Sequence, residues 1–463
     1  MVALAILPVG ASELPDLGES ARTTISEAQE AQLGREIMRQ IRGDRDYLDD
    51  PETVDYLNNL GDQLVAASPT PYRQFEFFVV RDATLNAFAL PGGYIGVHTG
   101  LISAARSESE LAGVLAHEIA HVTQNHIARI VDSQKGTALT TLAALVVAVL
   151  AARSDNTQIA QAAITTAQAM SIQQQLDFTR EHEKEADRIG LQTLSASGYD
   201  PAGMASFFER LQAQGRLYES QAPAYLRTHP LTHERMADLQ NRLGEMKYRQ
   251  HLDSLDFKLV RARVQAAEGE AFDAYKRFKA LAARQDDPAI RYGLVLAALR
   301  AGDREAAEKL FEKVEPELAS PMAAILAARL RLETGQPDKA LAGLRVGMAK
   351  YSGYKPIAYA YARALLGTAK AAEAKRFVVE RLRWWPDDPA LFRLLAESNH
   401  GLGLRAEGHL AQAEAHVRLD QPSLAQEQLQ LARQAGDGDF YTLSMVDARL
   451  RELREREQRE AKP

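Results

Sequence analysis

At 463 residues, 46% hydrophobic and 25% charged, with a formal net charge of −7, the chain is long enough for two or three domains and has no basic excess to draw nucleic acid as a partner. It contains no cysteine, which excludes disulfides, thiolate metal sites and a cysteine nucleophile. Any metal must therefore be held by His, Asp or Glu.

The opening MVALAILPVGASELPDLGES joins an apolar stretch to Val9-Gly10-Ala11, a small-residue pattern like a signal-cleavage site, though without a basic start. Residues 1–20 are expected to be the remnant of a secretory signal or a flexible N-terminus. Residues 26–66 read as helices broken near Asp49-Asp50-Pro51, and FEFFVV at 75–80 reads as a strand. AFALPGGYIGVHTGLI, 87–102, sets Gly92-Gly93 between β-prone runs and reads as a hairpin or a bent strand close to a site. Within it, Ala89–Val97 is the expected edge strand for pairing with an extended peptide.

From Ser107 to about Gln134 the pattern is helical, with Leu111, Val114, Leu115, Ile119, Val122, Ile127, Ile130 and Val131 on the apolar face. ALTTLAALVVAVLAA, 138–152, is too short for the ~20 residues of a membrane span. It reads as a buried or lid helix, with peripheral membrane contact as the alternative. The Gln/Ala-rich segment 157–177 also reads as helical, and helices from 138 to 177 are expected to cover the cleft.

Beyond about residue 250 an internal repeat emerges. Gly269, Gly302, Gly335 and Gly367 recur with a period near 34, each followed five residues on by Ala274, Ala307, Ala340 or Ala372, and Pro288, Pro321, Pro356 and Pro389 mark the junctions. That is the signature of tetratricopeptide-type helical hairpins, which present a surface to peptides or proteins. Asp420 and Ala425 keep the same offset and predict one more hairpin. His400, His409 and His416 lack acidic companions and read as surface residues.

The chemistry concentrates in LAHEIAHVTQNH, 115–126. His117 and His121 are i and i+4 on one helix face, so both imidazoles can reach one metal, with Glu118 beside them to take a proton from an activated water. A zinc hydrolase needs a third ligand and an open position. A third histidine in the metzincin pattern would need glycine at position 124 and histidine at 127, where Gln124 and Ile127 stand. His126 lies off the face of the pair and reads as a surface residue.

The acidic alternative is EHEKEAD, 181–187. Glu183 and Asp187 are i and i+4, so one carboxylate can bind metal while the other reaches a ring N–H of a ligating histidine, leaving Glu181 and Glu185 as solvated charges.

HEIAH, then EKEADRIG at 183–190, THPLTHER at 228–235 and the repeats, with LPDLGES near the start and NAFALPGGY before the histidine helix, together resemble the bacterial periplasmic zinc metalloproteases related to the CAAX prenyl protease group. The resemblance covers essentially the whole chain. It implies a mainly α (α+β) architecture, with a gluzincin-like metallopeptidase domain and small β-sheet over residues 21–250 and an α-solenoid of tetratricopeptide repeats over 251–463. It further implies one Zn2+ per chain on His117, His121 and Glu183, Glu118 as general base, and Asp187 as a proton donor. An orienting role for Asp187 is the physically preferred one, because a carboxylate bonded to a ligating imidazole is poorly placed to protonate a leaving amine.

His229, restrained by Pro230, aligns with the metal pocket in this resemblance and is expected as a fourth zinc ligand that switches the site off; a structural histidine is the alternative. Arg235 either stabilises an oxyanion or pairs with a nearby acid. The implied function is a zinc endopeptidase with a chaperone-like role, periplasmic and soluble or peripherally attached to the outer membrane. It would assist outer-membrane β-barrel proteins, degrade stalled ones, and dock on the β-barrel assembly machinery through its repeats. The alternative is a zinc-binding, proteolytically latent scaffold.

Overall fold

The computed structural model describes residues 26–70, 74–133, 180–217, 224–247 and 249–460. Helix α1 (Glu27–Arg42) starts at a reciprocal capping box between Ser26 and Gln29. Helix α2 (Pro51–Ala66) starts on a proline, whose missing N–H costs nothing in a first turn.

Strands β1 (Glu76–Val80), β2 (Ala87–Leu90) and β3 (Tyr94–His98) form a sheet of order β1-β3-β2. β3 is parallel to β1 and antiparallel to β2, so Ile95 is flanked by Phe77 on one side and Ala89 on the other. The expected hairpin is present, turning through Gly92 and Gly93 at φ 80° and 84°. The expected edge strand is corrected. Only the part of Ala89–Val97 that belongs to β2 lies at an edge, because Tyr94–Val97 are bonded on both sides and have no backbone left for a peptide.

A short helix, α3 (Thr99–Ala104), leads to α4 (Glu108–Thr123), capped by the Ser107 hydroxyl. Every residue of α4 is buried, as suits a helix that is apolar or small nearly all round. The single helix expected to about Gln134 is two: Asn125 turns left-handed at φ 54°, a conformation Asn tolerates better than most residues, and α5 (His126–Ser133) begins after it. α6 (Arg180–Ala196) and α7 (Ala202–Leu217) pack on α4, followed by α8 (Ala224–Thr228) and α9 (His233–Glu245). The segment 1–20, the apolar window 138–152 and the helices expected over 138–177 lie outside the described residues. Among the described residues no helix is long and apolar enough to cross a membrane.

The repeats pair α10 (Leu255–Ala267) with α11 (Ala271–Ala282), α12 (Pro288–Arg300) with α13 (Arg304–Val314), and α14 (Pro321–Glu333) with α15 (Pro337–Lys350). Next come α16 (Lys355–Gly367) with α17 (Ala371–Leu382), α18 (Pro389–Gly401) with α19 (Arg405–Arg418), and finally α20 (Pro422–Gln434) and α21 (Phe440–Glu460). Gly269, Gly302, Gly335, Gly403 and Gly436 all have positive φ in the turns. The fourth turn differs from expectation. Gly367 merely ends α16, while Ala369 takes the left-handed position at φ 56° and Ala374, not Ala372, is the buried alanine. An alanine there costs about 1 kcal/mol relative to glycine.

One hydrophobic cluster runs from Tyr56 through Leu115 and Phe257 to Leu330, joining the helices around α4 to the first repeats. Polar contacts fix the junction. The Glu108 amide donates to Asp253 Oδ1 at 2.8 Å, while Ser254 N and Oγ each donate to the Glu108 carboxylate at 2.8 Å. Arg263 on α10 spans Asp50 at 2.7 Å and Glu52 at 2.6 Å. Burial pushes the Glu52 carboxyl up to about 7 even so. Farther along, Arg39 and Arg42 of α1 donate to the Asp420 and Leu419 carbonyls, bringing α1 against the turn after α19.

Arg263→Ala strands the ionised Asp50 without its cation and leaves Glu52 without that ion-pair contact, and is expected to lower stability by about 3 kcal/mol in urea denaturation. A loss within a few tenths of a kcal/mol would show the cluster to be solvated and energetically idle.

Candidate metal centre

α6 packs closely on α4 at Gly190, where an added Cβ would lie 3.1 Å from His117 Cα and force the neighbours to shift. Glycine there eases the approach that carries the carboxylates of α6 to the imidazoles of α4. His117 and His121, one turn apart and fully buried, point their Nε2 atoms at each other across 3.0 Å. Glu183 reaches between them, 3.5 Å from His117 Nε2 and 3.4 Å from His121 Nε2. His229, just beyond α8, sets its Nδ1 2.9 Å from Glu183 Oε1 and its Nε2 3.5 Å from Glu118 Oε1. One ligand atom from each of His117, His121, Glu183 and His229 lies within 4.8 Å of the others, and all four residues are buried.

Glu118 is fully buried, and among the described residues no side chain makes a hydrogen bond of ordinary geometry to its oxygens; the His229 ring at 3.5 Å and the Ala89 backbone are the groups that face it. Burial pushes its carboxyl up, against the pull of His229 and His117. A buried carboxylate this sparsely bonded is costly.

Asp187, one turn after Glu183, brings Oδ1 to 3.0 Å from His117 Nδ1. Arg235 grips it with Nε and Nη2 at 2.7 Å each, and spends Nη1 on Glu183 Oε2 at 2.6 Å and on the Pro230 carbonyl at 2.8 Å. Every guanidinium nitrogen is thus engaged with a protein oxygen, which is the pairing alternative of the two read from the sequence. Burial opposes ionisation of Asp187, yet Arg235 and His117 hold its carboxyl below the usual range. For His117 burial works downward, but Asp187 and Glu183 outweigh it and raise the imidazole to about 9. His121 lies on the other side, held well below its ordinary value by burial.

These charges test whether a metal belongs here. Three carboxylates, Glu118, Glu183 and Asp187, face a single guanidinium here, with burial pushing Glu118 toward its protonated form and Asp187 and Glu183 drawing His117 toward its cationic one. Imidazole nitrogens and a carboxylate converging on one point are the donor set of a divalent transition metal. The residues fit the group.

Three residues of the site escaped the sequence reading. On an unbroken helix His126 would lie about 140° around from His121. The left-handed turn at Asn125 brings it back, so the expected surface histidine is fully buried, with Nδ1 2.9 Å from His121 Nδ1. Glu185, expected as a solvated charge, is only 26% exposed, lies 3.1 Å from His126 Nε2 and accepts from Arg129 at 2.6 Å. Glu181 is exposed as expected. Tyr225, fully buried, stacks on the His229 ring at 4.6 Å, and its carbonyl accepts from the His229 amide. Their only sequence signals are Asn before His126 and an aromatic four residues before His229.

Residues 51–243 match peptidase family M48. The chain is 42% identical over 254 residues to the beta-barrel assembly-enhancing protease of Escherichia coli K12, covering 55% of this chain and 52% of that protein. It is 32% identical over 414 residues to the beta-barrel assembly-enhancing protease of Yersinia pestis, covering 87% and 83%. The mitochondrial metalloendopeptidase OMA1 of Schizosaccharomyces pombe is 32% identical over 213 residues, 46% of this chain and 59% of that one.

A divalent ion that binds the folded site alone stabilises the protein by about 2.7 kcal/mol at a hundredfold excess over Kd. Chelator-stripped protein is therefore expected to gain thermal stability when zinc is restored, and His121→Ala to gain almost none. An unchanged midpoint on zinc addition to the wild type would count against a metal site.

Proposed function

This chain belongs to peptidase family M48, in the group of the beta-barrel assembly-enhancing proteases, and on that premise we propose that it is a zinc-dependent endopeptidase whose substrates are unfolded or stalled outer-membrane β-barrel proteins. The observation that carries the reading is the buried convergence of His117, His121, Glu183 and His229 beside the buried Glu118 carboxylate. In this reading the peptidase unit spans residues 21–250 and the repeats, 251–463, dock on the β-barrel assembly machinery. The location is the periplasm, with the chain soluble or peripherally attached to the outer membrane. The names of the relatives support the substrate class and the envelope location.

His117, His121 and Glu183 hold the zinc in this proposal. Bound there, zinc supplies Lewis acidity toward the scissile carbonyl and makes water acidic enough to be deprotonated near neutral pH. Glu118 takes the proton of the attacking water and delivers it to the leaving nitrogen, a task suited to a carboxyl whose proton affinity burial has raised. In this reading Asp187, 3.0 Å from His117 Nδ1, favours the tautomer with its proton there and orients the ring, and Arg235 keeps Asp187 ionised and in place. Arg235 acts through Asp187 and Glu183 rather than on the substrate.

His229 supports a latent resting state. A hydrolytic site keeps a position open for water, and here a fourth protein donor stands in the cluster, held by Glu183 and stacked on Tyr225. Moving the segment that carries His229 frees that position.

Zinc-loaded wild type is expected to cleave an unfolded protein such as casein, and Glu118→Gln to do so about 10²–10⁴-fold more slowly with zinc still bound. Equal rates would remove Glu118 from the chemistry. His229→Ala should raise the basal rate of casein cleavage. Lost cleavage in that variant, with zinc retained, would make His229 a participant in the reaction instead of a plug.

A further inference from the structure

We propose that His126 and Glu185 are positioning residues for the metal centre, an imidazole–carboxylate relay that fixes His121 from behind as Asp187 fixes His117. The inference rests on the metal reading of the site and concerns how the chain holds its ligands.

Proton bookkeeping through the contacts leaves a single arrangement. A metal on His121 Nε2 requires that nitrogen to be bare, so the ring proton is on Nδ1. Nδ1 faces His126 Nδ1 at 2.9 Å, and two protonated nitrogens cannot share that contact, so His126 accepts there and carries its own proton on Nε2. Nε2 faces Glu185 Oε2 at 3.1 Å, and a carboxylate accepts. Arg129 donates to the same oxygen at 2.6 Å and keeps it charged and in place. Each donor meets an acceptor, and the bonds run outward from His121 through His126 to the negative end at Glu185.

The two imidazoles of α4 are thereby treated alike. Behind His117 stands Asp187, anchored by Arg235; behind His121 stands Glu185, anchored by Arg129 and reached through His126. Glu185 lies on α6 like Glu183 and Asp187, so one helix supplies a direct ligand and both backing carboxylates. The geometry depends on the left-handed Asn125, which ends α4 and starts α5 with His126 against His121. The His182 ring stacks on His126 at 4.5 Å and blocks its rotation.

The test measures zinc affinity of the full chain by competition with a chromophoric chelator. Removing an outer partner of a metal ligand weakens binding about ten- to a hundredfold. His126→Phe, which keeps a flat ring and loses the acceptor, should show that loss, and His126→Asn, whose Oδ1 can accept from His121, should recover most of it. Glu185→Ala should weaken binding in the wild-type background and add nothing in the His126→Phe background, the non-additivity expected of one chain. Wild-type affinity in a folded His126→Phe, or additive losses in the pair, would overturn the proposal. If His126→Phe does not fold, the part-exposed Glu185→Ala decides: unchanged affinity overturns the relay and a several-fold loss supports it. His121→Ala separates this from the metal reading, because a wild type that binds no zinc, or a His121→Ala variant that binds it as tightly, takes down both, whereas impaired His121→Ala with unimpaired His126→Phe takes down the relay alone.

Discussion

Arg235 brings a guanidinium against Asp187 and Glu183 where water does not reach, and the rest of the site follows from the need to balance charge there. Ionised carboxylates are strongly disfavoured in such a space unless cations face them. One guanidinium does not suffice for Glu118, Glu183 and Asp187. Asp187 and Glu183 draw His117 toward its cationic form, and the converging imidazoles and carboxylate are a donor set that suits a divalent ion.

Such a balance needs a rigid frame. α4 is buried along its whole length, and its N-terminus is tied to the first repeat helix by the exchange between Glu108, Asp253 and Ser254. Arg263 makes a second tie to α2, and the hydrophobic cluster crosses the same junction. The imidazole helix and the start of the solenoid form one packed body.

Two histidines at the site contrast in how they are held. His126 is clamped between His121, Glu185 and the His182 ring, on helix on both sides of a single left-handed residue. His229 sits on a short connection between α8 and α9, with Glu183 at 2.9 Å, Glu118 at 3.5 Å, the Tyr225 ring stacked on its own and its amide donating to the Tyr225 carbonyl. The first is carried on helices that flank a single turn residue, the second on a loop.

The sequence by itself determined the parts that depend on local spacing. The i, i+4 pair His117 and His121, the carboxylates at the same interval on α6, and the glycine period of the solenoid follow from helix geometry, which a linear pattern records. Tertiary structure alone decided which groups at long separation meet. Arg235 could have faced the substrate as readily as an acid, and only the packing of α9 near α6 gave it Asp187 and Glu183. His126 read as a surface residue because the helix was taken as unbroken; one backbone torsion at Asn125 reversed its place. Ala369 escaped the repeat pattern because an alanine in a left-handed turn goes against its own preference; the turn is closed by backbone bonds from the Ala369 and Lys370 amides to the Leu366 and Leu365 carbonyls. Periodicity is written into the order of residues, whereas a turn that breaks it, and a buried charge that finds its partner, are set by the close packing of elements far apart in the chain.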